Sequence, residues 1–132
     1  MTNRFTSKAQ HALNSALAQA GQMGHTYVGS EHILLGLLDD PESTSAKLLE
    51  GKGIKAMQVK EAVEEFAGVG APSEDISPAD MTPRTKKIIE TSALYANQTR
   101  CNYIGTEHLL LALLSEGDCV AVRLLRSLGV NT

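Results

Sequence analysis

The chain has 132 residues, of which 42% are apolar and only 4% aromatic, and it contains no tryptophan. Its 12 basic and 15 acidic side chains give a formal charge of −3, which argues against a nucleic-acid-binding protein. It has no run of about 18 apolar residues to span a membrane, no apolar signal core at its N-terminus, and too few cysteines for a secreted disulfide framework. We therefore predict a cytoplasmic protein whose aliphatic core favours helices over a sheet.

The first predicted helix follows Thr6, a residue type favoured at helix N-caps, and stops near Gly24. Its apolar residues recur at spacings of three and four, the pattern of one helix face. They are Ala9, Ala12, Leu13, Ala16, Leu17 and Ala20.

A second helix is predicted from Glu31 to about Leu38, with Ser30 as its N-cap. It is apolar on most sides, so we expect it to be central and buried. A short third helix ends at Gly53, and a fourth contains Val59, Ala62, Val63 and Phe66. The stretch 68–81, rich in Gly, Pro and Ser, is predicted to be an exposed linker.

The same pattern then occurs a second time, 76 positions further along the chain. The segment 27–35 (YVGSEHILL) matches 103–111 (YIGTEHLLL), and the register holds without a gap from Phe5/Met81 to Ile54/Val130. The second copy therefore has Thr82 and Thr106 as predicted N-caps and Glu107 opening its second helix. No fourth helix follows before Thr132, which suggests a piece of a longer protein; a natural short form is the alternative.

These residues resemble the Clp N-terminal domain, a double repeat that precedes the ATPase rings of ClpA, ClpB and ClpC. The opening 5–9 (FTSKA), the two Gly-Ser/Thr-Glu-His blocks and the opening 81–84 (MTPR) are most similar to the ClpC type. The resemblance implies an all-α, pseudo-twofold domain of eight helices, with repeats at about 5–67 and 82–130. It also implies a receptor for substrates and adaptor proteins, which passes them to a hexameric ATPase working with a Clp peptidase. No Walker A motif occurs in the chain, so we expect a non-enzymatic domain without a cofactor; ATP would bind elsewhere in a parent protein.

ClpC-type domains bind phosphoarginine at two symmetry-related sites, and the resemblance implies that Glu31 and Glu107 hold the guanidinium. A carboxylate can accept two parallel hydrogen bonds from that planar group. The simpler interpretation is that each Glu only complements the dipole of its helix, an effect of about 0.3–1 kcal/mol.

Four hydroxyl residues, Thr6, Thr82, Ser30 and Thr106, are predicted to help bind the phosphoryl group beside free N–H groups at helix starts. Simple N-capping is the alternative for each of them. Basic residues follow two of these caps, and they either attract a phosphate or an acidic adaptor or are ordinary solvated charges. They are Lys8, Arg84, Lys86 and Lys87.

The histidines and cysteines suggest neither a metal site nor catalysis. His32 and His108 lack a second ligand three or four residues away, so we predict core histidines bonded to the backbone. Departures from the family pattern at Ser30, Met81 and 100–102 (RCN) raise the question of whether both sites bind equally well. Two other functions stay open: a stand-alone accessory protein that regulates Clp assembly, and a domain that only docks adaptors.

Overall fold

Seven α-helices make up the computed structural model within the residues that it describes, 5–73 and 76–129. The first copy contains α1 (Ser7–Gln22), α2 (Ser30–Asp39), α3 (Thr44–Glu50) and α4 (Ala56–Ala67). A short 3₁₀ turn, Pro78–Asp80, leads to α5 (Pro83–Gln98), α6 (Thr106–Ser115) and α7 (Val120–Ser127). The predicted all-α class is confirmed.

Helices α2 and α6 lie at the centre of the core. All residues of α2 from Ser30 to Leu38 are buried, and Leu109, Ala112 and Leu113 of α6 are fully buried. Helices this short gain most of their stability from tertiary packing, which explains why they are apolar on most sides. They hold the N-terminal turns of both copies in fixed positions.

Threonine caps begin the long helices α1 and α5. Thr6 Oγ1 accepts a hydrogen bond from the N–H of Ala9 (3.1 Å), and Thr82 Oγ1 accepts one from the N–H of Thr85 (3.1 Å). Each bond satisfies one of the N–H groups that a helix start leaves unpaired. The N-caps predicted at these two positions are confirmed.

The N-caps predicted at Ser30 and Thr106 are wrong, because both residues lie inside the first turn of their helices and Gly29 and Gly105 are the caps. Ser30 Oγ accepts a hydrogen bond from the N–H of Ala121 at the start of α7 (3.1 Å). Thr106 Oγ1 accepts one from the N–H of Ser45 at the start of α3 (3.2 Å). Each hydroxyl therefore caps a helix of the other copy.

Two isolated parallel bridges join the copies. Phe5 pairs with Ile104, and Val28 pairs with Met81. In the first bridge the N–H of Thr6 donates to the carbonyl of Ile104 (2.9 Å), and in the second the N–H of Thr82 donates to the carbonyl of Val28 (3.1 Å). The start of α1 thus lies against the start of α6, and the start of α5 lies against the start of α2.

The first part of the segment between the copies returns to the end of α1. The N–H of Gly70 donates to the carbonyl of Met23 (2.7 Å), and the N–H of Ser73 donates to the carbonyl of Gly21 (2.9 Å). Gly24 has a φ of +74°, and a Cβ there would lie 2.3 Å from the carbonyl carbon of Gly70. Residues 68–72 are exposed, but hydrogen bonds hold this segment to the first copy.

Candidate functional site

Two candidate sites combine residues from both copies. We call the first the Glu31 site, formed by 27–31 at the start of α2 and 81–84 at the start of α5. The second, the Glu107 site, is formed by 103–107 at the start of α6 and 5–8 at the start of α1. The backbone bridges described above fix these pairs of helix starts side by side.

Both predicted glutamates fold back over the glycine that caps their helix. A Cβ added at Gly29 would lie 2.2 Å from Oε1 of Glu31, and one added at Gly105 would lie 2.2 Å from Oε1 of Glu107. The same carboxylate position therefore recurs in both copies, and the absence of a side chain on the glycine makes room for it. This local geometry follows from the repeated Gly-Ser/Thr-Glu sequence.

Glu31 is almost fully buried, with 2% of its surface exposed. Its Oε2 accepts a hydrogen bond from the hydroxyl of Tyr27 (3.1 Å), and no cation among the described residues pairs with it. Burial of the ring, then the charge and hydrogen bond of Glu31, raise the pKa of Tyr27 to about 12. The site thus contains a carboxylate that is shielded from water and has no counter-ion among the described residues.

His32 and His108 complete the start of α2 and α6. His32 Nδ1 accepts the N–H of Gly29 and His108 Nδ1 accepts the N–H of Gly105, each at 2.9 Å. In the first copy two further hydrogen bonds extend from this histidine. His32 Nε2 is hydrogen-bonded to His25 Nδ1 (2.7 Å), and His25 Nε2 is hydrogen-bonded to the carbonyl of Gly68 (2.8 Å). Burial, then the charge of His25, lower the pKa of His32 to about 4. The predicted backbone-bonded histidines are confirmed.

Free backbone donors remain at the starts of α1 and α5. Within the part of the chain that is described, no group accepts a hydrogen bond from the N–H of Ser7, Lys8 or Arg84. Pro83 has no N–H, so the start of α5 presents one donor fewer than the start of α1. These donors, together with the positive end of each helix dipole, favour an anion.

Three of the four predicted basic residues form surface ion pairs. Lys8 Nζ lies 2.8 Å from Asp40 Oδ2, and this bond lowers the pKa of Asp40. In the second copy Glu116 pairs with Arg84 (3.8 Å) and Lys87 (3.6 Å). Only Lys86 has no ion pair among 5–73 and 76–129. Contact of these residues with a phosphate or an adaptor stays a prediction.

The sequence model of the Clp repeat (R) N-terminal domain matches residues 4–131. The chain belongs to the Clp N-terminal repeat family.

Similar full-length Clp proteins come from bacteria and plants. The chain is 42% identical over 132 residues to the chaperone protein ClpB of Oceanobacillus iheyensis. It is also 42% identical over 131 residues to the negative regulator of genetic competence ClpC/MecB of Bacillus subtilis. Each match covers 99% of the chain but only 16% of the relative, so this Clp N-terminal domain corresponds to a small part of those proteins.

Solved Clp N-domains have the same fold. The N-terminal domain of ClpD from Arabidopsis thaliana matches with a TM-score of 0.80 and 29% identity, over 97% of this chain and 89% of that one. The N-domain of ClpV from Vibrio cholerae matches with a TM-score of 0.74 and 21% identity, over 97% and 78%. These likenesses confirm the all-helical Clp N-domain fold that the family resemblance implies.

The described part of this Clp N-terminal domain has neither a membrane-spanning helix nor a cluster of metal-binding side chains. None of its helices is both long and apolar enough to cross a bilayer. Likewise, it contains no cluster of three or more His, Cys, Asp or Glu side chains arranged to hold a metal ion.

The sequence predicted neither Tyr27 as a site residue nor the combination of residues from both copies in each candidate site. The signal for Tyr27 was present, since a tyrosine precedes the glutamate by four residues in both copies of the repeat. The pairing of Thr82 with the start of α2, and of Thr6 with the start of α6, had no local signal. It depends on bridges between segments far apart in the chain.

Proposed function

We propose that this Clp N-terminal domain recognises substrates and adaptor proteins for a Clp ATPase, and that it binds phosphoarginine side chains at the Glu31 and Glu107 sites. Its curated relatives are named as chaperones and as ATP-binding subunits of a Clp protease. Delivery to an ATPase ring and a Clp peptidase would take place through a parent chain. The domain itself acts by binding.

The observation that carries the proposal is the buried carboxylate of Glu31. A carboxylate held away from water without a cation carries a desolvation cost, and the helix dipole returns only about 0.3–1 kcal/mol of it. A guanidinium would compensate this cost through two parallel hydrogen bonds. The matching position of Glu107 over Gly105 supports the same role in the second copy.

A phosphoryl group on the same side chain needs hydrogen-bond donors close to that carboxylate. The adjoining helix start supplies them: the N–H groups of Ser7 and Lys8 beside Glu107, and that of Arg84 beside Glu31. Thr6 and Thr82 lie at these starts, and their hydroxyls are only partly buried. We keep both threonines as ligand contacts and assign Ser30 and Thr106, whose hydroxyls are buried, to the scaffold of the sites.

Calorimetric titration with a phosphoarginine peptide tests the proposal. We expect two binding events in the native domain, one in Glu31→Gln, one in Glu107→Gln, and none in the double variant. The isosteric amide keeps the volume of the side chain but removes the charge that attracts the guanidinium. Glu65→Gln on the exposed side of α4 is the matched control and should bind as the native domain does.

An unmodified arginine peptide separates the contribution of the phosphoryl group, and we expect it to bind at least about tenfold more weakly. A correctly folded native domain that gives no heat with the phosphoarginine peptide would contradict the proposal. Adaptor docking alone, or regulation of Clp assembly, would then be the function to pursue.

A further inference from the structure

The two sites differ in how their carboxylates are covered. Glu31 is buried beneath Tyr27, whose hydroxyl donates to it, whereas Glu107 is partly exposed. Tyr103, which corresponds to Tyr27, is 55% exposed, and no described residue forms a hydrogen bond or a ring contact with it. The first site is closed and the second is open.

One position of the repeat, His25 in the first copy and Cys101 in the second, explains why only Glu31 is covered by its tyrosine. The ring of His25 stacks on Tyr27, with centroids 5.6 Å apart and planes 7° apart, and Tyr27 meets His32 edge-on at 5.3 Å. His25 is itself fixed by its contacts with His32 and Gly68. In the second copy Cys101 stands where His25 stands in the first, and it is exposed. Tyr103 therefore lacks a counterpart of the stacked ring that holds Tyr27 over Glu31.

A guanidinium reaches the two carboxylates at different cost. At the Glu31 site it must displace the Tyr27 hydroxyl and separate that ring from two histidines. At the Glu107 site nothing comparable has to move, and the free ring of Tyr103 can lie against the cation. A charge-assisted hydrogen bond is worth roughly tenfold or more in an equilibrium constant, so its loss alone gives a measurable difference.

We propose that the two sites fill in order, the Glu107 site first, because His25 holds Tyr27 closed over Glu31 and Cys101 leaves Tyr103 free. This inference rests on the proposed binding of phosphoarginine. His25 and Cys101 act through the tyrosines as positioning residues. The domain would thus bind phosphoarginine-bearing proteins in two concentration ranges, one for each site.

Single-site variants measure each affinity separately. Glu31→Gln leaves the Glu107 site, and Glu107→Gln leaves the Glu31 site, for calorimetry with one phosphoarginine peptide. We expect the Glu107 site to bind at least about tenfold more tightly. Equal affinities, or tighter binding at the Glu31 site, would overturn the inference while leaving the proposed function intact. No binding in either variant or in the native domain would overturn both.

Exchanging the two positioning residues tests the cause. In the Glu107→Gln background, His25→Cys and Tyr27→Phe should each tighten binding at the Glu31 site several-fold. In the Glu31→Gln background, Cys101→His should weaken the Glu107 site. Tyr27→Phe keeps the ring and removes only the hydroxyl, so it remains informative if His25→Cys impairs folding. Affinities that do not move in any of these variants would contradict the role of the tyrosines.

Discussion

At the start of α2, three side chains depend on one another. His32 Nδ1 accepts a hydrogen bond from the N–H of Gly29, and the carboxylate of Glu31 lies over the same glycine. The Tyr27 hydroxyl donates a hydrogen bond to that carboxylate and covers it. The bond to Gly29 requires an unprotonated Nδ1 on His32, so Nε2 carries the proton and donates to His25. The arrangement is complete only while His32 is neutral.

We therefore predict that the free energy of unfolding falls as the pH is lowered from about 6.5 to about 4. The pKa of His32 is lowered to about 4 in the folded domain, and the ordinary value is 6.5. The unfolded chain takes up the proton first, so the stabilisation is complete above pH 6.5 and is lost as the pH falls toward 4. The loss is at most about 3 kcal/mol. Urea denaturation followed by circular dichroism across this range measures it.

His32→Gln is the matched variant for this experiment. A glutamine at the same helix position already accepts the N–H of the cap residue in α4, where Gln58 Oε1 bonds to Lys55 (2.9 Å). The variant should keep the N-terminal bond of α2 and show a shallower dependence on pH between 6.5 and 5. An unchanged slope would show that His32 is not the group responsible.

Helix α2 packs closely against α1 at Gly36. A Cβ at Gly36 would lie 2.1 Å from the carbonyl oxygen of Ala12, which belongs to the backbone and cannot turn aside. The second copy has Ala112 at the corresponding position, so the packing of α6 against α5 accommodates a Cβ there. Gly36 therefore serves the packing of the first copy.

Gly36→Ala should destabilise the domain by about 1–2 kcal/mol. Overpacking costs about 1–3 kcal/mol, and the better helix propensity of alanine returns up to about 1 kcal/mol. Thermal denaturation should show a midpoint lower by about 4–8 °C. Gly117→Ala is the control, since nothing lies within 4 Å of a Cβ there, and its midpoint should stay within about 2 °C of the native value. A stabilised Gly36→Ala variant would refute the close approach.

For the molecule as a whole, the sequence predicted what local pattern and repetition can specify. The helix class, the threonine caps, the central second helix and the positions of Glu31 and Glu107 all follow from spacing within one copy. The roles of Ser30 and Thr106 could not be predicted, because their hydroxyls bond to partners 91 and 61 residues away. A serine beside a glycine favours an N-cap locally, and only the packing of the two copies assigns its hydroxyl to another helix.

The pairing of helix starts from opposite copies was also unpredictable, because it too depends on contacts between residues far apart in the chain. Two short parallel bridges, Phe5 with Ile104 and Val28 with Met81, place each threonine cap beside the helix start that carries the glutamate of the other copy. Local sequence contains no record of such contacts. In the proposed function, each phosphoarginine site would therefore require one glutamate and one threonine-capped helix from opposite copies.

The most direct test of this account uses Glu31→Gln, in which only the Glu107 site remains. Adding Thr6→Val should weaken phosphoarginine binding about three- to tenfold, because Thr6 begins the helix that adjoins Glu107. Adding Thr82→Val should leave the affinity unchanged, with circular dichroism confirming that both double variants are folded. Weakening by Thr82→Val and not by Thr6→Val would place each site within a single copy and contradict the account.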